Sequence, residues 1–194
     1  MTPSLTTFPE SAAQPSKVVL IGMMGAGKSL VGSMVAARLG WPRLDSDQQI
    51  EHRTGTTVAQ IFAERGEAAF RAEEAQALAE AVTSEGPLVV SVAGGAVLSA
   101  DNRRLLRQAG VVVWLRADVV TLARRLQPGA GGDHRPLLAG DRVARLTLLY
   151  AERRPYYQEL ADVVVDVDDL TPGEVADQVV AAWHAARGAG IGHA

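Results

Sequence analysis

Gly22-Met23-Met24-Gly25-Ala26-Gly27-Lys28-Ser29 is the stretch on which the reading of this chain turns. It follows the apolar run Val18-Val19-Leu20-Ile21 and leads into a segment of helical periodicity, with Val31, Val35 and Leu39 on one face and Gly40 as the stop. The spacing G-x-x-x-x-G-K-S in a strand-then-helix context is that of a phosphate-binding loop. Glycine lets successive backbone N–H groups curl around an anion, and the helix that follows turns its positive end toward the same charge. The N–H groups of Gly25, Ala26, Gly27 and Leu30 are the expected cradle, Lys28 reaches the β- and γ-phosphates, and the Ser29 hydroxyl ligates Mg²⁺. Of the 19 Lys and Arg residues only Lys17 and Lys28 are lysine. A compact ammonium fits inside such a cradle where a planar guanidinium does not.

The surrounding chain is consistent with a small-molecule enzyme. With 194 residues and 47% hydrophobic content it suffices for one well-packed domain. A net charge of -3 offers no general attraction to nucleic acid or to an anionic membrane. There is no cysteine, which removes disulfides and thiolate chemistry from consideration and suits a reducing compartment. The cytoplasm is the expected location and a monomer the expected state. Residues 1–16 hold three prolines and six Ser or Thr residues and read as a disordered tail. The domain is expected over 17–187, with a frayed end over 188–194.

Along the chain, strands alternate with helices at a spacing that implies βαβ units and a parallel sheet. A short extended stretch, Trp41 to Asp47, ends in two carboxylates. Alternation along a strand puts Asp45 and Asp47 on one face at the edge where open sheets bind ligands. Equally, one of them can cap a helix over Gln48–Thr54. A helical pattern runs from Thr57 to Thr83 with a break near Gly66, and within it Arg71 has Glu67 at i−4 and Glu74 at i+3, the spacing of a surface ion pair. The strand Leu88–Val92 ends in Ala93-Gly94-Gly95, glycines that serve either a ligand's close approach or a tight turn. Further strands are expected over Val111–Leu115 and Val163–Val167, and helices over Asp101–Gln108, Asp118–Leu126 and Arg142–Glu159, the last broken near Pro155. The glycine-rich segment Gln127–Pro136 reads either as a mobile lid carrying Arg135 or as a disordered stretch in which that arginine has no role. Thr171-Pro172-Gly173-Glu174 opens the last helix with a capping box.

Taken together, these separated motifs resemble the shikimate kinase family, from about Lys17 to Ala185. Gly66-Glu67-Ala68-Ala69-Phe70-Arg71 is similar to its G-E-x-x-F-R segment, Leu44-Asp45-Ser46-Asp47 to its D-x-D segment, and Gly94-Gly95 to the end of its glycine-rich turn. Arg135-Pro136-Leu137-Leu138 resembles its lid motif, and Glu152-Arg153-Arg154-Pro155-Tyr156-Tyr157 the helix that supplies a second carboxylate-binding arginine. The resemblance implies a P-loop kinase fold with a five-stranded parallel sheet flanked by helices, a helical substrate-binding region and a mobile lid. It further implies that Asp45 helps Ser29 hold Mg²⁺ and that Asp47 binds the shikimate hydroxyls and can accept a proton. Arg71 and Arg153, not Arg154, clamp the carboxylate, with Gly94 and Gly95 against the substrate, while Arg125 packs on adenine and Arg135 contacts the ATP phosphates.

The implied reaction is transfer of the ATP γ-phosphoryl group to the 3-hydroxyl of shikimate, giving shikimate 3-phosphate and ADP, a step of aromatic amino-acid biosynthesis. Two positions depart from the family pattern. Leu30 stands where Thr is usual, which removes a hydroxyl near the phosphates, and Ala93 replaces the first glycine of the turn, harmless only if its φ is negative. A kinase of another hydroxy acid such as gluconate, and a nucleotide-binding module without catalysis, are the alternatives. A GTPase-type switch lacks its N-K-x-D segment.

Overall fold

Runs of branched apolar residues bury on both faces only in a covered parallel sheet, and that is what forms. The computed structural model describes residues 16–126 and 141–188. Its five strands are β1 (Lys17–Ile21), β2 (Arg43–Asp45), β3 (Leu88–Ser91), β4 (Val111–Arg116) and β5 (Val163–Asp166), arranged in the order β2-β3-β1-β4-β5. Every neighbouring pair is parallel. The described helices are α1 (Lys28–Leu39), α2 (Ser46–Thr54), α3 (Val58–Thr83), α4 (Ala100–Ala109), α5 (Val119–Arg125), α6 (Arg142–Leu160) and α7 (Pro172–Gly188). Val18, Val19 and Leu20 of β1 and Val112 and Val113 of β4 are completely buried. A smaller apolar cluster, Ile50, Ile61, Phe70 and Ala77, joins α2 to α3 apart from the main core.

This topology decides where chemistry can occur. β1 connects past β3 to β2 while β3 connects past β1 to β4, so a crevice opens at the carboxyl ends of these two central strands. The phosphate loop leaves β1 there, Ala93-Gly94-Gly95 leaves β3 there, and Asp45 ends β2 there. Gly22, at φ +141, bends the chain so closely to β4 that a Cβ would lie 2.5 Å from the Leu115 carbonyl oxygen. Among the described residues no helix is long and apolar enough to cross a membrane.

Several local expectations are corrected. Asp45 and Asp47 do not alternate along one strand: β2 ends at Asp45, which has extended dihedrals and caps α2, while Asp47 lies in the first helical turn. The Asp45 carboxylate accepts the Asp47 N–H at 3.2 Å, so the cap outweighs continuation of a three-residue strand. Nor does Pro155 break α6, whose buried stripe Leu146, Leu149, Arg153, Tyr157 and Leu160 continues across it. Burial of Tyr157 and Leu160 beyond the proline offsets the lost helical hydrogen bond. The break at Gly66 does occur, at φ 79 and ψ 172. Thr171 caps α7 as expected, its hydroxyl accepting the Glu174 N–H at 3.3 Å while the Glu174 carboxylate accepts the Thr171 N–H at 2.8 Å. The expected tail before Ser16, the segment 127–140 with Arg135, and the expected frayed end over 189–194 lie outside the described residues.

Gly110, between α4 and β4, tests the tightness of this packing away from the crevice. Its φ is +154 and a Cβ would run into the Lys17 carbonyl. Gly110→Ala is expected to lower unfolding free energy by about 1–3 kcal/mol, read from urea denaturation.

Candidate active site

The phosphate half of the site is built as its spacing demands. Gly27, at φ 93, is the left-handed residue before α1, a conformation that a side chain would strain. The Lys28 ammonium donates to the carbonyls of Gly22 and Met23, each at 2.9 Å, and is thereby folded across the loop rather than extended to solvent. The Ser29 hydroxyl donates to Asp45 Oδ2 at 2.6 Å. One Asp45 carboxylate oxygen thus caps α2 while the other meets Ser29 at the start of α1. Ser91, at the end of β3, donates its hydroxyl to the Lys28 carbonyl at 3.1 Å and ties α1 to the sheet.

Beside the loop lies an apolar cavity of about 210 Å³, lined among others by Ala26, Leu30, Arg125, Leu170 and Pro172. The Arg125 guanidinium donates to the Val167 carbonyl at 2.7 Å, which holds it at the cavity wall. Leu30 is 52% exposed, so its side chain is presented to whatever enters.

The second half is centred on the turn after β3. Neither Gly94 nor Gly95 has positive φ, and no described non-glycine residue does, Ala93 included. The substitution at Ala93 is therefore unstrained. What the two glycines supply is space. A Cβ on Gly95 would lie 2.6 Å from both terminal nitrogens of Arg71, and one on Gly94 would lie 3.1 Å from the Gly22 carbonyl oxygen. Arg71 thus lies against the turn, and the turn lies against the phosphate loop.

Arg71 is also the ion pair that its neighbours foretold. It donates to both Glu74 oxygens, at 3.0 and 2.9 Å, and to Glu67 at 2.8 Å. Burial works against its charge, yet the two carboxylates outweigh this and raise its pKa. Glu74 is 1% exposed. Burial pushes its carboxyl up to about 7, Arg71 pulls the other way, the Asp47 charge adds to the rise, and Arg153 opposes it. The charges of Asp47 on α2 and Arg153 on α6 thus both act on the buried carboxyl that Arg71 of α3 holds. Arg153 is 2% exposed, while Arg154 is exposed. The Arg153 Nε has no hydrogen-bond partner among the described residues.

Sequence reading took Glu74 for a surface ion-pair partner and missed Ser46 and Tyr157. Glu74 was legible: it occupies a buried position in the stripe Phe70, Glu74, Ala77, Leu78, Ala81, where a carboxylate is costly unless paired. Ser46, whose hydroxyl accepts the Ala93 N–H at 2.9 Å, and Tyr157, whose hydroxyl donates to the Gly94 carbonyl at 2.6 Å, carried no local signal. Their partners are 47 and 63 residues away.

Comparison with known proteins bears on this arrangement as a whole. Residues 24–184 match the family model described as shikimate kinase. The chain is 43% identical over 164 residues to a shikimate kinase of Symbiobacterium thermophilum, covering 84% of this chain and 93% of that protein. It is 46% identical over 169 residues to one of Halorhodospira halophila, covering 87% and 93%. Among solved structures, shikimate kinase from Acinetobacter baumannii in complex with shikimate superposes with a TM-score of 0.81 at 36% identity, covering 87% of this chain and 92% of that one. A gluconokinase from Sinorhizobium meliloti, at 22% identity and a TM-score of 0.59, shares the fold.

The buried Glu74 makes a pH signature. An ordinary glutamate titrates near 4.5, so between about pH 4.5 and 7 the folded chain holds a proton that the unfolded chain has released. Stability from this group is complete below the lower value and is lost as pH rises through the upper one. Urea unfolding at pH 5 and pH 8 should show the wild type losing about 2–3 kcal/mol relative to Glu74→Gln.

Proposed function

The chain belongs to the shikimate kinase family, and on that premise we propose how its own residues perform the transfer. It phosphorylates shikimate with ATP, in the shikimate pathway. The observation that carries the assignment of roles is the Arg71 guanidinium, held by the buried Glu74 against a turn that itself packs on the phosphate loop.

Two arginines from separate helices suit a carboxylate, and Arg71 is oriented by its bidentate contact with Glu74 before any ligand arrives. In this reading Arg71 and Arg153 grip the acid, the Gly94–Gly95 backbone supports the ring, and Asp47 orients the 3-hydroxyl and accepts its proton. Lys28 neutralises the β- and γ-phosphoryl oxygens, and the N–H groups of Gly25 to Leu30 cradle the phosphates. The apolar cavity with Arg125 on its wall suits a flat base. The donor set also suits Mg²⁺. Ser29 and Asp45 bring two hard oxygen ligands together at 2.6 Å, and this ion is commonly held by one or two protein oxygens plus substrate phosphates. When bound, it would add positive charge at the phosphate oxygens. Arg135 would contact the ATP phosphates, and the enzyme would act as a cytoplasmic monomer.

Catalysis then rests on holding a hydroxyl in line with a phosphoryl group, and the direct contact of the turn with the loop fixes that geometry. ADP release measured with shikimate, with gluconate and without acceptor tests the acceptor and the clamp together. Shikimate alone should stimulate turnover. Arg71→Ala should raise the shikimate KM by about 100-fold and leave the ATP KM within about twofold. An equal rise in both would remove Arg71 from the clamp. For the nucleotide half, Leu30→Thr restores a hydroxyl beside the phosphates, and titration should show ATP binding about fivefold tighter.

A further inference from the structure

The turn that meets the substrate contains two adjacent glycines, the residues least able to hold a peptide plane by themselves. Side chains and backbone from elsewhere hold it instead. The Ala93 N–H is taken by Ser46, and the Ala93 carbonyl accepts the Ala96 N–H at 3.1 Å. The Gly95 carbonyl accepts the Leu98 N–H at 3.1 Å. The peptide between these two anchors, Gly94 to Gly95, is held through the Gly94 carbonyl, which accepts the Tyr157 hydroxyl at 2.6 Å.

Tyr157 reaches the turn from within the core. It is fully buried, its ring stacks on Trp114 at 5.6 Å, and its hydroxyl lies 3.7 Å from the Met23 sulfur of the phosphate loop. It follows Arg153 by one helical turn on the buried stripe of α6. We propose that Tyr157 is a positioning residue for the acceptor, whose hydroxyl locks the Gly94–Gly95 peptide and so aims the turn's backbone at the substrate while registering it against Arg153. Because a peptide is planar and trans, fixing the Gly94 carbonyl also fixes the direction of the Gly95 N–H on the opposite side. Burial raises the phenol's pKa well above its ordinary value despite the neighbouring Arg153, so the hydroxyl remains a donor throughout the working pH range. Without it that peptide, flanked by glycine on both sides, loses the side-chain hydrogen bond that sets its plane.

This rests on the reading of Arg71 and Arg153 as the acceptor clamp, and the test separates the two. Tyr157→Phe keeps the ring and its packing and removes only the hydroxyl. Its shikimate KM should rise about tenfold, with the ATP KM within about twofold of wild type. Trp114→Phe disturbs the stack but keeps the hydroxyl, and should leave the shikimate KM within about twofold. If Trp114→Phe raises the shikimate KM as much as Tyr157→Phe, the effect is packing and the proposal is overturned. Equal rises in both KM values for Tyr157→Phe overturn it too. Arg153→Met completes the set. A higher shikimate KM in Arg153→Met with none in Tyr157→Phe overturns the positioning role alone, whereas no change in either overturns the clamp as well.

Discussion

The guanidinium of Arg71 lies where the side chain of residue 95 would otherwise be, and most of this site follows from that contact. Residue 95 must be glycine for want of space, not for its backbone angles, since its φ is −93. The charge brought against the backbone must be compensated, because an arginine partly removed from water is costly alone. Glu74 supplies the compensation from within the core. It holds the arginine in one orientation while itself being burdened by desolvation, and it borders on the charges of Asp47 and Arg153. A surface ion pair contributes little to stability. This one, with its carboxylate buried, holds the guanidinium in one orientation against the turn.

Because the turn presses on the phosphate loop as well, the two halves of the site are not independently placed. Gly94 approaches the Gly22 carbonyl and the Met24 N–H from one side, and Tyr157 reaches both Gly94 and Met23 from another. Phosphoryl transfer asks chiefly for alignment and charge neutralisation, and displacement of about an ångström costs orders of magnitude in rate. Backbone-to-backbone packing at the edge of a covered parallel sheet is among the stiffest supports a chain of this size can offer. The mobile parts of the reaction then need only approach a fixed frame.

Local signals were strongest where one residue type answers to one requirement. The G-x-x-x-x-G-K-S spacing, the capping box at Thr171 and the kink at Gly66 each follow from short-range sterics and hydrogen bonding, and each was legible. The carboxylates at 45 and 47 show the opposite case. Period-two alternation and helix capping both fit the same short stretch. The choice fell to the cap because β2 pairs on one side with β3 and ends level with Ser91, where its ladder stops. Pro155 was misread for a related reason. Its local penalty is real, but the buried stripe of α6 continues past it, and burial of an aromatic and a leucine exceeds the cost of one helical hydrogen bond.

By itself the sequence determined the phosphate loop and the alternation of strands and helices, since these depend on spacing within a few turns of chain; spacing alone read Arg71 as a surface ion pair, and only the resemblance of separated motifs pointed to it and Arg153 as acid-binding. Only the tertiary structure decided that Gly94 and Gly95 are spacers, that Asp45 serves the cap and the loop together, and that Arg153 is buried where Arg154 is not. It alone brought Ser46 and Tyr157 onto the turn. Those assignments depend on which surfaces the parallel sheet brings together, and contacts between segments tens of residues apart leave no periodicity in the chain that makes them.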